Sequence, residues 1–416
     1  MKVTTIRSKV NYLLLFSSCV FLSGHSYSIV ASSVVDVIML TIGFVVCVSV
    51  CHRLRLPRHI NASGLFILCI AIGVVGSYIL YRRQNVWLDP ILLIGKIGLA
   101  YLITQRLSFE EFSKLYSNVM VFLSAIAILV FLLIEADINI PNYSYIGQDN
   151  RTMYHTIWLC SWGDVSSPGI PQRIMGPFWE PGLYSSMTIF ALLCEGCFTG
   201  RKPRKISISI MIVGILLSGS TAGYILTVLT LYIVVSRYIK KRIVWDIVTF
   251  FLFILLFLFS ERIIDILVSW NPSVFWKLAE QSITGNTRLY SPIACFLVFL
   301  KNPFTGLGLS YATEQYNLYK GIFGMDALTS TSAFMLAALG IWGISYTIFL
   351  CRGVWKQKQF GGTIRLLLLV LLLTIVNKEP HTSILFTYLM MYYLNADKDS
   401  NEVMERNEGT LKVVVK

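Results

Sequence analysis

Apolar stretches recur along almost the whole chain, and most are separated by short polar segments rich in lysine and arginine. A helix needs about 20 mostly apolar residues to cross the hydrocarbon core of a bilayer, and roughly twelve such stretches can be drawn here. The pattern therefore predicts an all-α polytopic membrane protein with about 12 transmembrane helices.

Two long polar loops and a polar tail divide the predicted helices into three groups. In chain order, the segments are residues 1–135 with helices 1 to 5, loop 136–182, residues 183–260 with helices 6 to 9, loop 261–330, residues 331–395 with helices 10 to 12, and tail 396–416. Long loops of this kind usually carry function.

The composition agrees with a membrane location, because 55% of the residues are hydrophobic and only 14% are charged. The net charge of +13 does not indicate nucleic-acid binding, since most lysines and arginines lie in alternate short loops. The positive-inside rule makes those loops cytoplasmic. We therefore expect both termini in the cytoplasm and both long loops on the outer side. Arg82 and Arg83 depart from the rule, because this orientation places them on the outer side of the membrane.

Each long loop contains a compact polar motif. The first loop ends in R-x-x-G-x-F-x-E-P-G, from Arg173 to Gly182. The second contains GNTRLYSPIACFLVFLKNPFTGLGLS, residues 285–310, in which Arg288 precedes an apolar run and an N-P-F-x-G-x-G turn. With the SGSTAGY turn at residues 218–224, and in this order, these motifs resemble the bacterial O-antigen polymerase (Wzy) and O-antigen ligase superfamily.

The resemblance implies a glycosyltransferase of the bacterial inner membrane that acts on the periplasmic face in lipopolysaccharide biosynthesis. A polymerase of this family moves a growing glycan from undecaprenyl pyrophosphate to the next lipid-linked repeat unit. The implied partners are the undecaprenyl-pyrophosphate-linked oligosaccharide, membrane lipid and a chain-length regulator, with no nucleic acid. No cofactor is implied, whether metal or nucleotide sugar.

Two other activities stay open as alternatives. A ligase moves the finished glycan to lipid A core, and ligases carry a histidine in an HNxYL-like stretch after the second loop. The corresponding stretch here, LTSTSAFML at residues 328–336, contains no histidine, which favours the polymerase. A transporter or a flippase for lipid-linked oligosaccharide would also have many spans with both ends inside. Transporters usually have two similar halves, and the halves of this chain look dissimilar.

Three residues of the loop motifs are candidate catalytic residues. A departing pyrophosphate needs cationic stabilisation, and the guanidinium groups of Arg173 and Arg288 stay charged and can bind two oxygens at once. Glu180 can accept the proton of the acceptor hydroxyl, or it can orient Arg173 or favour the start of the next helix. Either arginine could instead pair with a loop carboxylate or a lipid headgroup.

Aromatic residues and one histidine are candidate substrate contacts. Trp179, Phe178 and Tyr290 can stack on sugar rings, although an interfacial aromatic belt is the commoner role of such residues in membrane proteins. His381 lies in NKEPH, residues 377–381, a short outward turn that could close over the site. The belt is the preferred assignment for the remaining loop tryptophans, which are Trp158, Trp162, Trp270 and Trp276.

Three ionisable residues, Lys96, Asp36 and Glu195, fall inside predicted spans, where an unpaired charge is costly. We expect them to be paired, and for Lys96 an ion pair is favoured over contact with a lipid pyrophosphate. Gly306 and Gly308 are expected to allow a tight turn after Pro303, in preference to cradling a phosphate.

Overall fold

A computed structural model of the chain describes residues 2–27, 33–50, 62–146, 152–156, 159–163, 172–238, 269, 283–325, 328–378 and 381–396. Some sequence predictions lie outside these residues. They are the ninth predicted helix, which ends the segment 183–260, the tail from residue 397, and the role given to Trp158, Trp270 and Trp276.

The described part of the chain is mostly helical. Its α-helices are α1 (Lys2–Phe21), α2 (Ser33–Val50), α3 (Ala62–Leu80), α4 (Leu88–Thr104), α5 (Phe109–Glu135), α6 (Pro181–Leu193), α7 (Lys205–Leu217), α8 (Thr221–Ser236), α9 (Ile283–Lys301), α10 (Leu309–Ile322), α11 (Thr331–Leu339), α12 (Ile344–Lys356), α13 (Gly362–Lys378) and α14 (Leu385–Asn395). A π-helical segment, Cys194–Phe198, continues α6, and a 3-10 turn, Gly340–Gly343, joins α11 to α12.

Within the described residues, three helical segments are long and apolar enough to cross a bilayer. They are Ala62–Leu80, Phe109–Glu135 and Thr331–Lys356, the last of which α11 and α12 form together. Several shorter apolar helices accompany them, such as the 13-residue α7. At about 1.5 Å rise per residue, a helix of that length reaches only about 20 Å. The apolar helices indicate a membrane protein, and the expected twelve spans stay a prediction.

Local sequence determines where several helices begin. Ser108 caps α5, because its hydroxyl accepts the Glu111 N–H at 3.2 Å while the Glu111 carboxylate accepts the Ser108 N–H at 3.1 Å. This reciprocal pair satisfies two N–H groups that have no partner inside the helix. Pro181 occupies the first position of α6, where its missing N–H leaves no hydrogen bond unmade.

Lys96, Asp36 and Glu195 are all paired, as expected. Glu195, which is fully buried, forms ion pairs with Arg201 at 3.2 Å and with Arg204 at 3.0 Å. Lys96 forms an ion pair with Asp36 at 3.1 Å. Pairing is needed because a lone charge removed from water costs several kcal/mol. The arginines bound to Glu195 come from a loop that the charge pattern predicts to be cytoplasmic.

The first long loop contains a four-stranded antiparallel sheet, so the all-α prediction was incomplete. The strands are β1 (Tyr143–Ile146), β2 (Thr152–Thr156), β3 (Cys160–Gly163) and β4 (Ile174–Gly176), and they neighbour one another in chain order. Strands of three to five residues show too few alternations of polar and apolar residues to be recognised in a sequence. The sheet packs against α5 and α6, which only the tertiary structure reveals.

The sheet and the segment after it are tied to the end of α1. Within β2, the His155 Nδ1 is hydrogen bonded to Ser26 Oγ at 2.8 Å. The Ser26 N–H donates to the Pro177 carbonyl at 2.9 Å, and the Trp179 N–H donates to the Gly24 carbonyl at 3.2 Å. These contacts fix the backbone of the R-x-x-G-x-F-x-E-P-G motif against the N-terminal helix.

Residues 283–325 of the second long loop form a helical hairpin. The N-P-F-x-G-x-G motif is the turn between α9 and α10, and the Tyr316 hydroxyl on α10 donates to Ser291 Oγ on α9 at 3.2 Å. Gly306 and Gly308 have φ of +69° and +85°. A Cβ at Gly306 would overlap the backbone of Ala338, so the prediction of a tight glycine turn is confirmed.

Candidate active site

The R-x-x-G-x-F-x-E-P-G motif turns the chain from β4 into α6. Gly176 has a φ of +54°, and a Cβ at this position would collide with the ring of Tyr184, so the turn requires glycine. Glu180 is the N-cap of α6, with extended backbone angles, and its side chain makes no capping hydrogen bond. The half-buried carboxylate therefore sits at the positive end of a helix.

Arg173 binds the turn between α7 and α8. Its Nε donates to the Ser218 carbonyl at 3.2 Å, and its Nη2 donates to the Gly219 carbonyl at 3.1 Å. These carbonyls follow the last residue of α7, where helix carbonyls lack partners within the helix and a cation is favoured. Because Arg173 is only half-buried, its charge also acts on the surface of this end of the protein.

Lys378, the last residue of α13, contacts the same turn. Its Nζ donates to the Gly182 carbonyl at 3.1 Å, to Ser185 Oγ at 3.2 Å and to Ser220 Oγ at 3.4 Å. Since Ser220 directly follows Gly219, Arg173 and Lys378 bind consecutive residues of one turn. Only 5% of Lys378 is exposed. The structure thus brings a buried ammonium and a guanidinium to one turn, where backbone carbonyls and serine hydroxyls accept their N–H groups.

Three helix N-termini meet around these two cations. Lys378 contacts the first turn of α6 and the N-cap of α8. The neighbouring Asn377 accepts the N–H of Ser332, in the first turn of α11, at 2.8 Å. Each helix N-terminus carries roughly half a positive elementary charge. We call Arg173, Lys378 and the first turns of α6, α8 and α11 the cation junction; its two side-chain charges and three N-termini favour an anion, and the carbonyls at the end of α7 that Arg173 binds offset part of that field.

His381 lies beside the cation junction but is fully buried. Its N–H donates to Thr331 Oγ1 at 2.8 Å, and its Nδ1 is hydrogen bonded to Thr387 Oγ1 at 2.8 Å. Burial, together with the nearby charge of Lys378, lowers the pKa of His381 to about 3. The imidazole is therefore neutral near pH 7. It is a weak general base, because a group that accepts a proton during catalysis works best with a pKa near the working pH.

A cleft of about 320 Å³ opens beside the cation junction. Trp179 and Ser383 line it, and they lie one residue from Glu180 and two residues from His381. Its other lining residues are Phe21, Gly24, Asp36, Asp89, Leu92, Leu93, Lys96, Leu309, Thr313, Phe334 and Thr382. The cleft therefore combines aromatic and aliphatic walls with a few polar groups, as ligand pockets do.

Comparisons with protein-family models, with curated proteins and with solved structures return no match for this chain.

The predicted substrate contacts have different surroundings. Trp179 lines the cleft, and its Nε1 has no hydrogen-bond partner among the described residues. Phe178 is fully buried against Tyr184, with the ring centroids 6.4 Å apart, so its ring packs in the interior and is not accessible to a sugar. Tyr290 is half-buried and stacks on Phe323, with the ring centroids 5.2 Å apart.

Arg288 is exposed on α9, one turn before Ser291. Ser291 Oγ accepts the Thr329 N–H at 3.2 Å, just before the start of α11. Because α11 begins at the cation junction, this contact brings the N-terminal half of α9 to the same end of the protein as Arg173. Arg288 thus has a surface position near that end, whereas Arg173 is held by the junction itself.

Sequence analysis missed two groups that the structure brings to this site. Lys378 was overlooked because it ends an apolar stretch, yet a lysine at the outer end of a predicted span departs from the positive-inside rule and was a usable signal. Asp89 was overlooked because a carboxylate in the first turn of a helix, as here in α4, is common and stabilising.

Proposed function

We propose that this chain is an O-antigen polymerase, a glycosyltransferase of the bacterial inner membrane that uses undecaprenyl-pyrophosphate-linked glycan. The observation that carries the proposal is the cation junction, where Arg173 and the buried Lys378 meet three helix N-termini. An arrangement of this kind suits a pyrophosphate group, and the motif that forms it is the one that resembles the O-antigen polymerase and ligase superfamily.

The proposed reaction transfers a glycan from one lipid carrier to another. A hydroxyl oxygen of the acceptor sugar attacks the anomeric carbon of the donor glycan. The bond from that carbon to the pyrophosphate oxygen breaks, and undecaprenyl pyrophosphate leaves with the electron pair. Arg173 and Lys378 stabilise the negative charge that develops on the leaving oxygen, which is the point where fixed cations lower the barrier most.

Glu180 is the proposed acceptor of the hydroxyl proton. It lies two residues before Gly182, whose carbonyl binds Lys378, so the carboxylate adjoins the proposed pyrophosphate site. A carboxylate within hydrogen-bond reach of the attacking hydroxyl removes its proton as the new glycosidic bond forms. In this scheme Arg288 contributes positive charge from the surface, and Trp179 contacts a sugar from the wall of the cleft.

The proposed orientation follows the charge pattern, with both termini in the cytoplasm and the cation junction on the periplasmic face. The undecaprenyl chain stays in the bilayer beside the apolar helices while its headgroup enters the junction. A chain-length regulator is the further partner that this reading implies.

Purified protein in liposomes tests the proposal. Undecaprenyl-pyrophosphate-linked repeat units from the host are added, and the products are separated by chain length. Lengthening of the lipid-linked glycan is expected. Movement of repeat units across the bilayer without lengthening would identify a flippase instead, and transfer to lipid A core without lengthening would identify a ligase.

Arg173→Lys tests the role of the guanidinium group. Lysine keeps the charge but cannot bind two phosphate oxygens through a planar fork, so the rate of lengthening should fall roughly tenfold or more. Arg83→Lys, at an exposed arginine, is the matched control and should keep the rate of the unaltered protein. Equal rates for both variants would remove Arg173 from the proposed mechanism.

A further inference from the structure

The cleft beside the cation junction has a different charge from the junction. It contains the carboxylates of Asp36 and Asp89 and the ammonium of Lys96, so its formal charge is negative when all three are ionised. The junction next to it carries the two positive charges of Arg173 and Lys378. An anionic pyrophosphate would therefore be repelled by one region and attracted by the other.

Several hydrogen-bonding groups of the cleft retain capacity for a ligand. Only 3% of Lys96 is exposed. Its Nζ donates to Asp36 Oδ2 at 3.1 Å and to the Ser383 carbonyl at 3.0 Å. An ammonium has three donors, so among the described residues one N–H of Lys96 has no partner. Asp89 Oδ2 accepts the Ser310 hydroxyl at 2.5 Å, which leaves lone pairs on its second oxygen.

The apolar part of the cleft wall is partly aromatic. Trp179 and Phe334 supply aromatic faces on which the C–H face of a sugar ring can pack. A carboxylate and an ammonium next to aromatic rings suit a polyhydroxylated ring, because each hydroxyl can both donate to the carboxylate and accept from the ammonium.

We propose that this cleft binds an uncharged or positively charged sugar ring of the acceptor repeat unit, with Asp89 and Lys96 holding its hydroxyls and Trp179 covering one face. This proposal assumes the glycosyltransferase function proposed above. The donor's pyrophosphate and the acceptor's sugar are then held by neighbouring regions of different charge, the pyrophosphate by the cation junction and the sugar by the carboxylate cleft. Trp179 and Glu180 lie at the boundary, where the attacking hydroxyl has to meet the donor.

The test uses the full-length protein in detergent and the free repeat-unit oligosaccharide, released from its lipid pyrophosphate by mild acid. This probe has no pyrophosphate, so its affinity reports on the cleft alone. Binding is measured by calorimetry for the unaltered protein, for Asp89→Asn and for Glu314→Gln. Glu314 is exposed on α10, next to Thr313 of the cleft wall, so its variant removes the same charge without altering the cleft.

Asp89→Asn should weaken oligosaccharide binding roughly tenfold or more, as expected when a hydrogen bond to a charged group is lost. Asparagine still offers an oxygen to the Ser310 hydroxyl, so the fold should persist. Trp179→Ala, which removes the aromatic face from the wall of the cleft, is a second variant that should also weaken binding. Glu314→Gln should bind as the unaltered protein does.

Equal affinities for Asp89→Asn and Glu314→Gln, or no binding of oligosaccharide to the unaltered protein, would overturn the cleft proposal. The lengthening assay in liposomes separates this outcome from failure of the proposed function. If the unaltered protein lengthens the glycan and Asp89→Asn binds oligosaccharide with unchanged affinity, the cleft proposal is rejected and the polymerase proposal is kept. Binding that depends on Asp89, without any lengthening, would keep the cleft as a sugar site and reject the polymerase.

Discussion

Replacement of Lys378 by methionine removes one charge of the cation junction while it keeps a linear apolar side chain of similar length. The three acceptors of Lys378 would each lose one hydrogen bond. The Gly182 carbonyl would still accept the Ser185 hydroxyl at 2.8 Å, and Ser220 Oγ would still accept the Gly223 N–H at 3.2 Å. We therefore expect Lys378→Met to cost at most about 1–3 kcal/mol of folding free energy.

Lys378→Met is also expected to slow the reaction. The three N–H groups of Lys378 are bound to Gly182, Ser185 and Ser220, so it acts on the leaving oxygen through its charge, and its loss should lower kcat roughly tenfold or more. Arg173 and the helix N-termini remain, so the activity should be reduced and not abolished.

The assay is lengthening of lipid-linked repeat units in liposomes, with Tm measured on the same preparations. Lys202→Met is the matched control, because Lys202 is exposed in a predicted cytoplasmic loop. It should keep the rate of the unaltered protein. If Lys378→Met and Lys202→Met lengthen the glycan at the same rate, Lys378 does not stabilise the leaving group and the cation junction is a structural feature.

Two further predictions concern stability. Gly306→Ala should lower Tm by at least about 2 °C, because the new Cβ overlaps the backbone of Ala338 at a positive φ. Gly321→Ala, where a Cβ meets nothing within 4 Å, should not lower it, and equal Tm values would contradict the close approach at Gly306. Burial and the neighbouring His25 lower the pKa of His155 from 6.5 to about 3. As the pH falls below about 6.5, the unfolded chain therefore takes up a proton at this histidine before the folded chain does. The free energy of unfolding then decreases by up to about 1.4 kcal/mol per pH unit. His155→Gln should flatten the decline of Tm between about pH 6.5 and pH 4, and an unchanged slope would contradict the assignment.

The candidate site could be predicted from sequence only in part. Trp179 and Glu180 were selected from the motif, and they adjoin the cleft and the cation junction respectively. Phe178 lies in the same motif but is buried, because the turn at Gly176 and the bridge to His25 direct this part of the chain into the interior. A motif places residue types close together in sequence, but the side chains on either side of a turn face different surroundings.

The sequence by itself determined that the chain is a helical membrane protein, that Lys96, Asp36 and Glu195 would be paired, and that Gly306 and Gly308 would form a turn. These features follow from local hydropathy, from the cost of an unpaired charge and from the conformational freedom of glycine. Only the tertiary structure decided that Lys378 would join Arg173, since the Lys378 Nζ bonds to a carbonyl 196 residues away. The reason is physical: the field at a site depends on which helix ends meet, and the hydropathy pattern that predicts each helix carries no information about its neighbours.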